Sequence, residues 1–331
     1  MLSEASAGPY FDELTVGQRF TGAPAMTLTP GLAAAHQAIT GDRLALMLDH
    51  ELCREVTGSD PLAQPALVWD VAIGQSTVVT QHVKANLFYR GLAFRRLPRL
   101  GETLRTCTEV VALRQNQPRA GRAPTGLAAL RITTTDQDGR PVLDFWRCAM
   151  LPLRDQALQT GHRDDLDAIG RDVAPADLAA LVSGWRLAPL AARAGGPHPA
   201  DLHAGQRFEV AGGDVVSSAP ELARLTLNIA AVHHDAQAGA GQRLVYGGHA
   251  IGLALAQAAR TLPSLVTVAG WHGCEHLAPV REGDTLRSAI SVEQVDALPD
   301  GGGLVSLRSL VRADGPDARD VLDWRYVAVL A

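Results

Sequence analysis

The chain repeats itself, and no other feature constrains its fold as much. "VGQRF" at 16–20 returns as "AGQRF" at 204–208. "GETLRTCTEVV" at 101–111 returns as "GDTLRSAISVE" at 283–293, and "PVLDFWRCAML" at 141–151 as "DVLDWRYVAVL" at 320–330. The offsets fall smoothly from 188 to 182 to 179, so the blocks keep one order while short connections change length. Self-similarity in one order marks two copies of one structural unit. The expected units are residues 1–152 and 201–331, which suits a chain of 331 residues. Between them, 153–200 has helical apolar spacing in its middle and a breaker, "GGPHP", before the second copy. It reads as a partly helical linker.

Each copy runs through the same elements. A short strand carries the GQRF block, and a helical stretch follows, Gly31–Thr40 in the first copy and Ala219–Val232 in the second. After a loop comes a second, mostly apolar helix, about 65–80 and 248–262, and then three strand-like runs with period-two alternation. A central helix followed by an antiparallel sheet predicts an α+β unit whose sheet wraps that helix.

Composition excludes several classes. Net charge is −5 with arginines scattered, which argues against a nucleic-acid or anionic-membrane surface. Apolar runs stop short of the ~20 residues of a membrane helix. The start, "MLSEASAGPYFDEL", lacks the basic-then-apolar order of a secretory signal. Cys53, Cys107, Cys148 and Cys274 are far apart with no CxxC, so neither a disulfide frame nor a zinc site is expected. The expected location is cytoplasmic.

Chemistry concentrates in "LTLNIAAVHHDAQAGAGQRLVYGGH", Leu225 to His249. At offset 186 Asn228 lies opposite Asp42, His233 opposite Met47 and Asp235 opposite Asp49, and at the start of the second helix, at offset 177, Tyr246-Gly247 is set opposite Trp69-Asp70. The first copy therefore folds without the histidine or the glycines, which favours a functional role for His233. His234 points another way and is expected to face solvent. Asp235, with a counterpart in Asp49, suits a loop-holding role. Gly247-Gly248 open an apolar helix whose free N–H groups and dipole stabilise negative oxygen. A base beside such an N-terminus suits a thioester: N–H groups for the carbonyl oxygen, and a base near the neighbouring carbon.

These segments, with "YFDELTVGQ", "ITGDRLALMLD", "KANLFYRGLAF" and "VLDWRYV", resemble the MaoC-like double-hotdog dehydratases and hydratases. The likeness is strongest to the group of mesaconyl-CoA hydratase (β-methylmalyl-CoA dehydratase). The resemblance implies two tandem hotdog folds and reversible syn addition of water to an enoyl thioester, while the high Ala and Arg content suggests a GC-rich bacterial genome. The substrate would be a short branched or dicarboxylic acyl-CoA, with no cofactor or metal. It places the catalytic His on His233 and the oxyanion site on Gly247, with Gly248. The family's acidic position falls on Asn228, which orients water but moves no proton. The resemblance therefore leaves two mechanisms. In one, His233 performs both proton transfers at an ordinary His pKa, ~6.5. In the other, the first half lends a carboxylate, Asp70 being the supporting candidate beside Asp235. The first half, with Asp42 but Met47, is expected to hold a vestigial site that shapes a tunnel for the pantetheine arm.

A dicarboxylic acyl group needs an arginine, and Arg90, Arg95 and Arg243 are the candidates. A homo-oligomer, dimeric or larger, is expected. Three other readings stay open: a dehydratase of carrier-bound acyl chains, a non-catalytic acyl-binding protein, and a thioesterase. The last usually keeps a carboxylate on the working copy's central helix, and "GGHAIGLALAQAART" has none.

Overall fold

The computed structural model of the protein describes residues 8–118, 121–170, 173–239 and 241–331. Half of the segment read for the absence of a secretory signal, residues 1–7, lies outside the described residues. The first half has four long strands: β1 (Ala85–Phe94), β2 (Thr103–Gln115), β3 (Thr125–Thr135) and β4 (Pro141–Pro152). The second half repeats them as β5 (Leu265–His276), β6 (Thr285–Ala297), β7 (Gly303–Ala313) and β8 (Arg319–Leu330). All pair antiparallel, in the order β2-β3-β4-β1-β5-β8-β7-β6. Short strands from the GQRF blocks, Arg19–Phe20 and Arg207–Glu209, cap the two edges. The halves therefore share one sheet, joined where Tyr89 of β1 pairs with Cys274 of β5 and Leu92 with Trp271. Each half is an α+β hotdog, and together they form a double hotdog.

The sheet wraps two central helices, α2 (Pro65–Gln75) and α5 (Gly247–Thr261), which follow the first-half helix α1 (Pro30–Thr40) and two shorter second-half helices. Every residue of α2 is buried, so its apolar residues run around the whole helix and not along one stripe. Trp69 of α2 meets Trp271 of β5 at 4.9 Å and Trp324 of β8 at 6.1 Å, both edge to face. Such aromatic pairs add about 1 kcal/mol each beyond area burial, here between the halves. Two short helices, Pro175–Ala180 and Ala188–Arg193, lie between the halves in sequence, with Leu178 and Leu190 buried.

Two sequence expectations change. The central helices match at offset 182, not at the offset that set Asp70 opposite Gly247. Gln75 and Gln257 make the same bond, Nε2 donating to the Leu104 and Leu286 carbonyls respectively. Asp70 thus corresponds to Gly252 and sits in the second turn of α2. Second, Ala219–Val232 is not one helix. It forms α3 (Ala219–Leu225) and α4 (Ala231–His234). Leu227 takes a left-handed conformation, φ 60°, and Asn228 Oδ1 accepts from Ala230 N at 3.0 Å, closing a turn that competes with the helix. The first half does the same with Asp42 Oδ1 and Leu44 N, at 2.9 Å. The turn needs an Asx side chain, and either Asp or Asn serves.

Candidate active site

The turn after α3 is held by the other half of the molecule. Ile229 N donates to Thr77 Oγ1 at 2.9 Å and Ala231 N to the Gln81 carbonyl at 2.9 Å. Gly74 of α2 lets the chain come this close, since a Cβ there would stand 1.7 Å from the Thr226 carbonyl oxygen. The kink aims His233 at a cavity of about 180 Å³ between the halves. The first half contributes Thr77, Thr80, Tyr89 and Arg147 to its walls, and the second contributes Asn228, His233, Tyr246, Gly247 and His276. The first half is therefore a working wall of this cavity, which goes beyond the vestigial site and tunnel expected for it.

His233 Nδ1 lies 2.8 Å from the Leu244 carbonyl. A carbonyl only accepts, so Nδ1 carries the proton and Nε2 keeps its lone pair. Burial pushes the His233 pKa down to about 4, with the Leu244 bond opposing and the charges of His234 and Arg147 adding to the fall. The ordinary value expected from sequence is thus corrected, and His233 is a neutral base at pH 7.

Asn228 is buried and lines the cavity. Its oxygen is committed to the turn, so the amide nitrogen, a donor, is what remains for a ligand. His234 does not simply face solvent, because its Nε2 donates to the Asn228 carbonyl at 2.6 Å and braces the same turn. Asp235 is exposed and accepts from Gln237 N at 2.8 Å, a loop bond away from the cavity.

Gly247 and Gly248 begin α5 as expected, but their glycine character has different causes. A Cβ on Gly247 would stand 2.4 Å from His276 Nε2, and one on Gly248 would stand 2.0 Å from Asp70 Oδ1. Gly247 makes a cavity wall and Gly248 lies behind it, against Asp70. Asp70 is fully buried, 2.9 Å from His36 Nε2, and accepts from the Tyr246 hydroxyl at 3.0 Å. Burial pushes its carboxyl up, opposed by those two bonds. Asp70 is therefore a bracket under Tyr246, whose ring packs edge-on against His233 at 5.7 Å.

Three cavity residues escaped the sequence reading. His276 has a buried Nε2 without a partner, and burial holds its pKa at about 4. Tyr246 sits before the glycines and was passed over for them. Arg147 is an arginine at a buried strand position, visible in "DFWRCAML" only as a charge inside a mostly apolar run. Among the described residues, no group of three or more His, Cys, Asp or Glu could hold a metal ion. No helix among them is long and apolar enough to cross a membrane.

No protein-family model matches the chain. It is similar to β-methylmalyl-CoA dehydratase of Chloroflexus aurantiacus, 26% identical over 98% of this chain and 93% of that one. Mesaconyl-CoA hydratase of Cereibacter sphaeroides is 26% identical over 95% of this chain and 92% of its own. Among solved structures, a double-hotdog protein of Mycobacterium tuberculosis described as conserved and hypothetical is 55% identical, with TM-score 0.92 over 98% of this chain and 99% of that one. A putative MaoC-domain dehydratase of Chloroflexus aurantiacus shares the fold, with TM-score 0.89 at 23% identity over 99% of each chain. On these full-length likenesses, the chain belongs to the family of the double-hotdog protein of Mycobacterium tuberculosis, and its curated full-length relatives are named as a dehydratase and a hydratase.

Proposed function

We propose that the protein reversibly hydrates a short enoyl-CoA to the 3-hydroxyacyl-CoA, with His233 as the acid–base group. The observation that carries this is the His233 ring, pinned through Nδ1 to Leu244 so that a neutral Nε2 meets the N-terminus of α5 across one cavity. In hydration, Nε2 takes a proton from water as the water oxygen bonds to the β-carbon. Electrons move through the α-carbon to the thioester oxygen, where the N–H of Gly247 and the α5 dipole stabilise the charge. His233, now protonated, returns its proton to the α-carbon. One base serving both steps from one side gives syn addition and needs no second acid, which suits an Asn at 228.

Size supports a short acyl chain. A cavity of roughly 150 Å³ holds benzene, so about 180 Å³ suits a compact acyl group and not a long chain. A groove outside it supports CoA. It shares Lys84, Ala85, Asn86 and His276 with the cavity, and its described walls include Lys84, Arg114, Arg122 and Arg163 but no carboxylate. Such a groove suits the phosphates of a nucleotide.

Loss of the enoyl-thioester absorbance with mesaconyl-CoA is the direct assay. His233→Ala is expected to lower kcat about a hundredfold or more, the scale of a lost general base. Release of free CoA without hydration would identify a thioesterase, and binding without turnover an acyl-binding protein.

A further inference from the structure

The three arginines expected to meet an acyl carboxylate are occupied elsewhere. Arg90 Nη1 donates to the Leu166 and Ile169 carbonyls, and its guanidinium lies over Phe88. Arg95 faces Asp144, and Arg243 faces Glu282. The cavity contains a different one. Arg147 on β4 is 3% exposed and lines the wall opposite the α5 N-terminus's own half.

Nothing in the fold calls for a charge at this position. In the first half Leu130 pairs with Arg147 across β3 and β4, and in the second Leu307 pairs with Tyr326 across β7 and β8. The register is fixed by a repeated ion pair three residues earlier, Arg131 with Asp144 and Arg308 with Asp323. Tyr326 is buried and stacks on Trp324 at 3.7 Å, so the sister strand fills the same place with an aromatic ring.

Arg147 is also under-partnered. Its Nη2 donates to the Ser76 carbonyl at 3.2 Å and to Thr80 Oγ1 at 2.7 Å, both neutral. Its Nε is buried without a partner, and no carboxylate pairs with it among the described residues. Closing the end of α2 accounts for Nη2, and the Tyr89 hydroxyl, another neutral group, also bonds to the guanidinium. The nearest buried carboxylate on that helix, Asp70, is taken by His36 and Tyr246. A buried guanidinium facing a cavity without a counter-charge is a binding group awaiting an anion, and its planar fork matches a carboxylate.

We propose that Arg147 binds a carboxylate carried by the acyl group, and so selects dicarboxylic over monocarboxylic acyl thioesters. This rests on the thioester-hydratase reading above. It adds the group that sets specificity, contributed by the first half to a reaction performed by the second.

The test uses two isosteric pairs in which a carboxylate replaces a methyl. Mesaconyl-CoA against tiglyl-CoA is read by turnover, and methylsuccinyl-CoA against 2-methylbutyryl-CoA by calorimetric binding. Wild type is expected to favour the carboxylated member by roughly 10- to 100-fold in kcat/KM and in Kd, the range for a hydrogen-bonded charge. Arg147→Met should collapse that ratio, and Arg147→Lys should restore part of it. A wild-type preference for the methyl member in either pair, or a ratio that survives in Arg147→Met, overturns the proposal. The wild-type ratios decide it even if both variants fail to fold. If no thioester is hydrated, the catalytic reading fails, while the binding pair still tests Arg147.

Discussion

The pKa of His233 gives the most discriminating experiment. A base at an ordinary ~6.5 is only roughly 3% neutral at pH 5, whereas one held at 4 is roughly nine-tenths neutral there. Burial holds His233 at about 4. Only neutral imidazole can take the proton from water, so kcat/KM for hydration falls as pH drops through the free-enzyme pKa. Between pH 7.5 and pH 5 the rate should therefore change less than twofold, where an unperturbed histidine would lose roughly thirtyfold. Initial rates are read from the enoyl-thioester absorbance, with circular dichroism at each pH to show that the fold persists. A thirtyfold fall at pH 5 in folded protein would refute the desolvated base. An alkaline limb that disappears in Asp70→Asn would instead revive proton donation by Asp70, against its bonding to His36 and Tyr246.

Two further outcomes test the packing around the site. Gly74→Ala puts a methyl 1.7 Å from the Thr226 carbonyl, where only backbone can yield. It should cost roughly 2–4 kcal/mol and displace the Asn228 turn, so a melting temperature within a degree of wild type would contradict the packing. His249 is fully buried, neither ring nitrogen has a partner, and burial lowers its pKa to about 4. As pH falls from ~6.5 towards 4 the unfolded chain takes up this proton first, so the folded state loses stability across that window. Relative to wild type, His249→Leu should gain roughly 2 kcal/mol more at pH 5 than at pH 7.5, read from urea midpoints. The buried Asp42 and Asp70, with pKa values raised by burial, act in the opposite direction but equally in both proteins. Equal gains at the two pH values would show that His249 is not desolvated.

The sequence alone determined the duplication, the α+β unit and the family, because repeated blocks and hydrophobic period survive in one dimension. It also singled out His233 and Gly247, since the sister copy served as an internal control for what the fold requires. The same control paired Asn228 with Asp42 but could not show that both oxygens close the same turn. Only the tertiary structure decided which atoms meet. The cavity lies between the halves, so Arg147 and Tyr89 come within reach of His233 from sequence positions far removed. The protonation states followed the same logic. Burial, and not residue type, sets His233 and His276 near 4, and burial arises only when the two halves close over them. Asp70 shows the limit most plainly. The family resemblance made it a candidate carboxylate for the reaction, yet its contacts with His36 and with Tyr246 of the other half make it a bracket. Linear spacing fixes neighbours along a helix, and long-range packing fixes partners across the molecule.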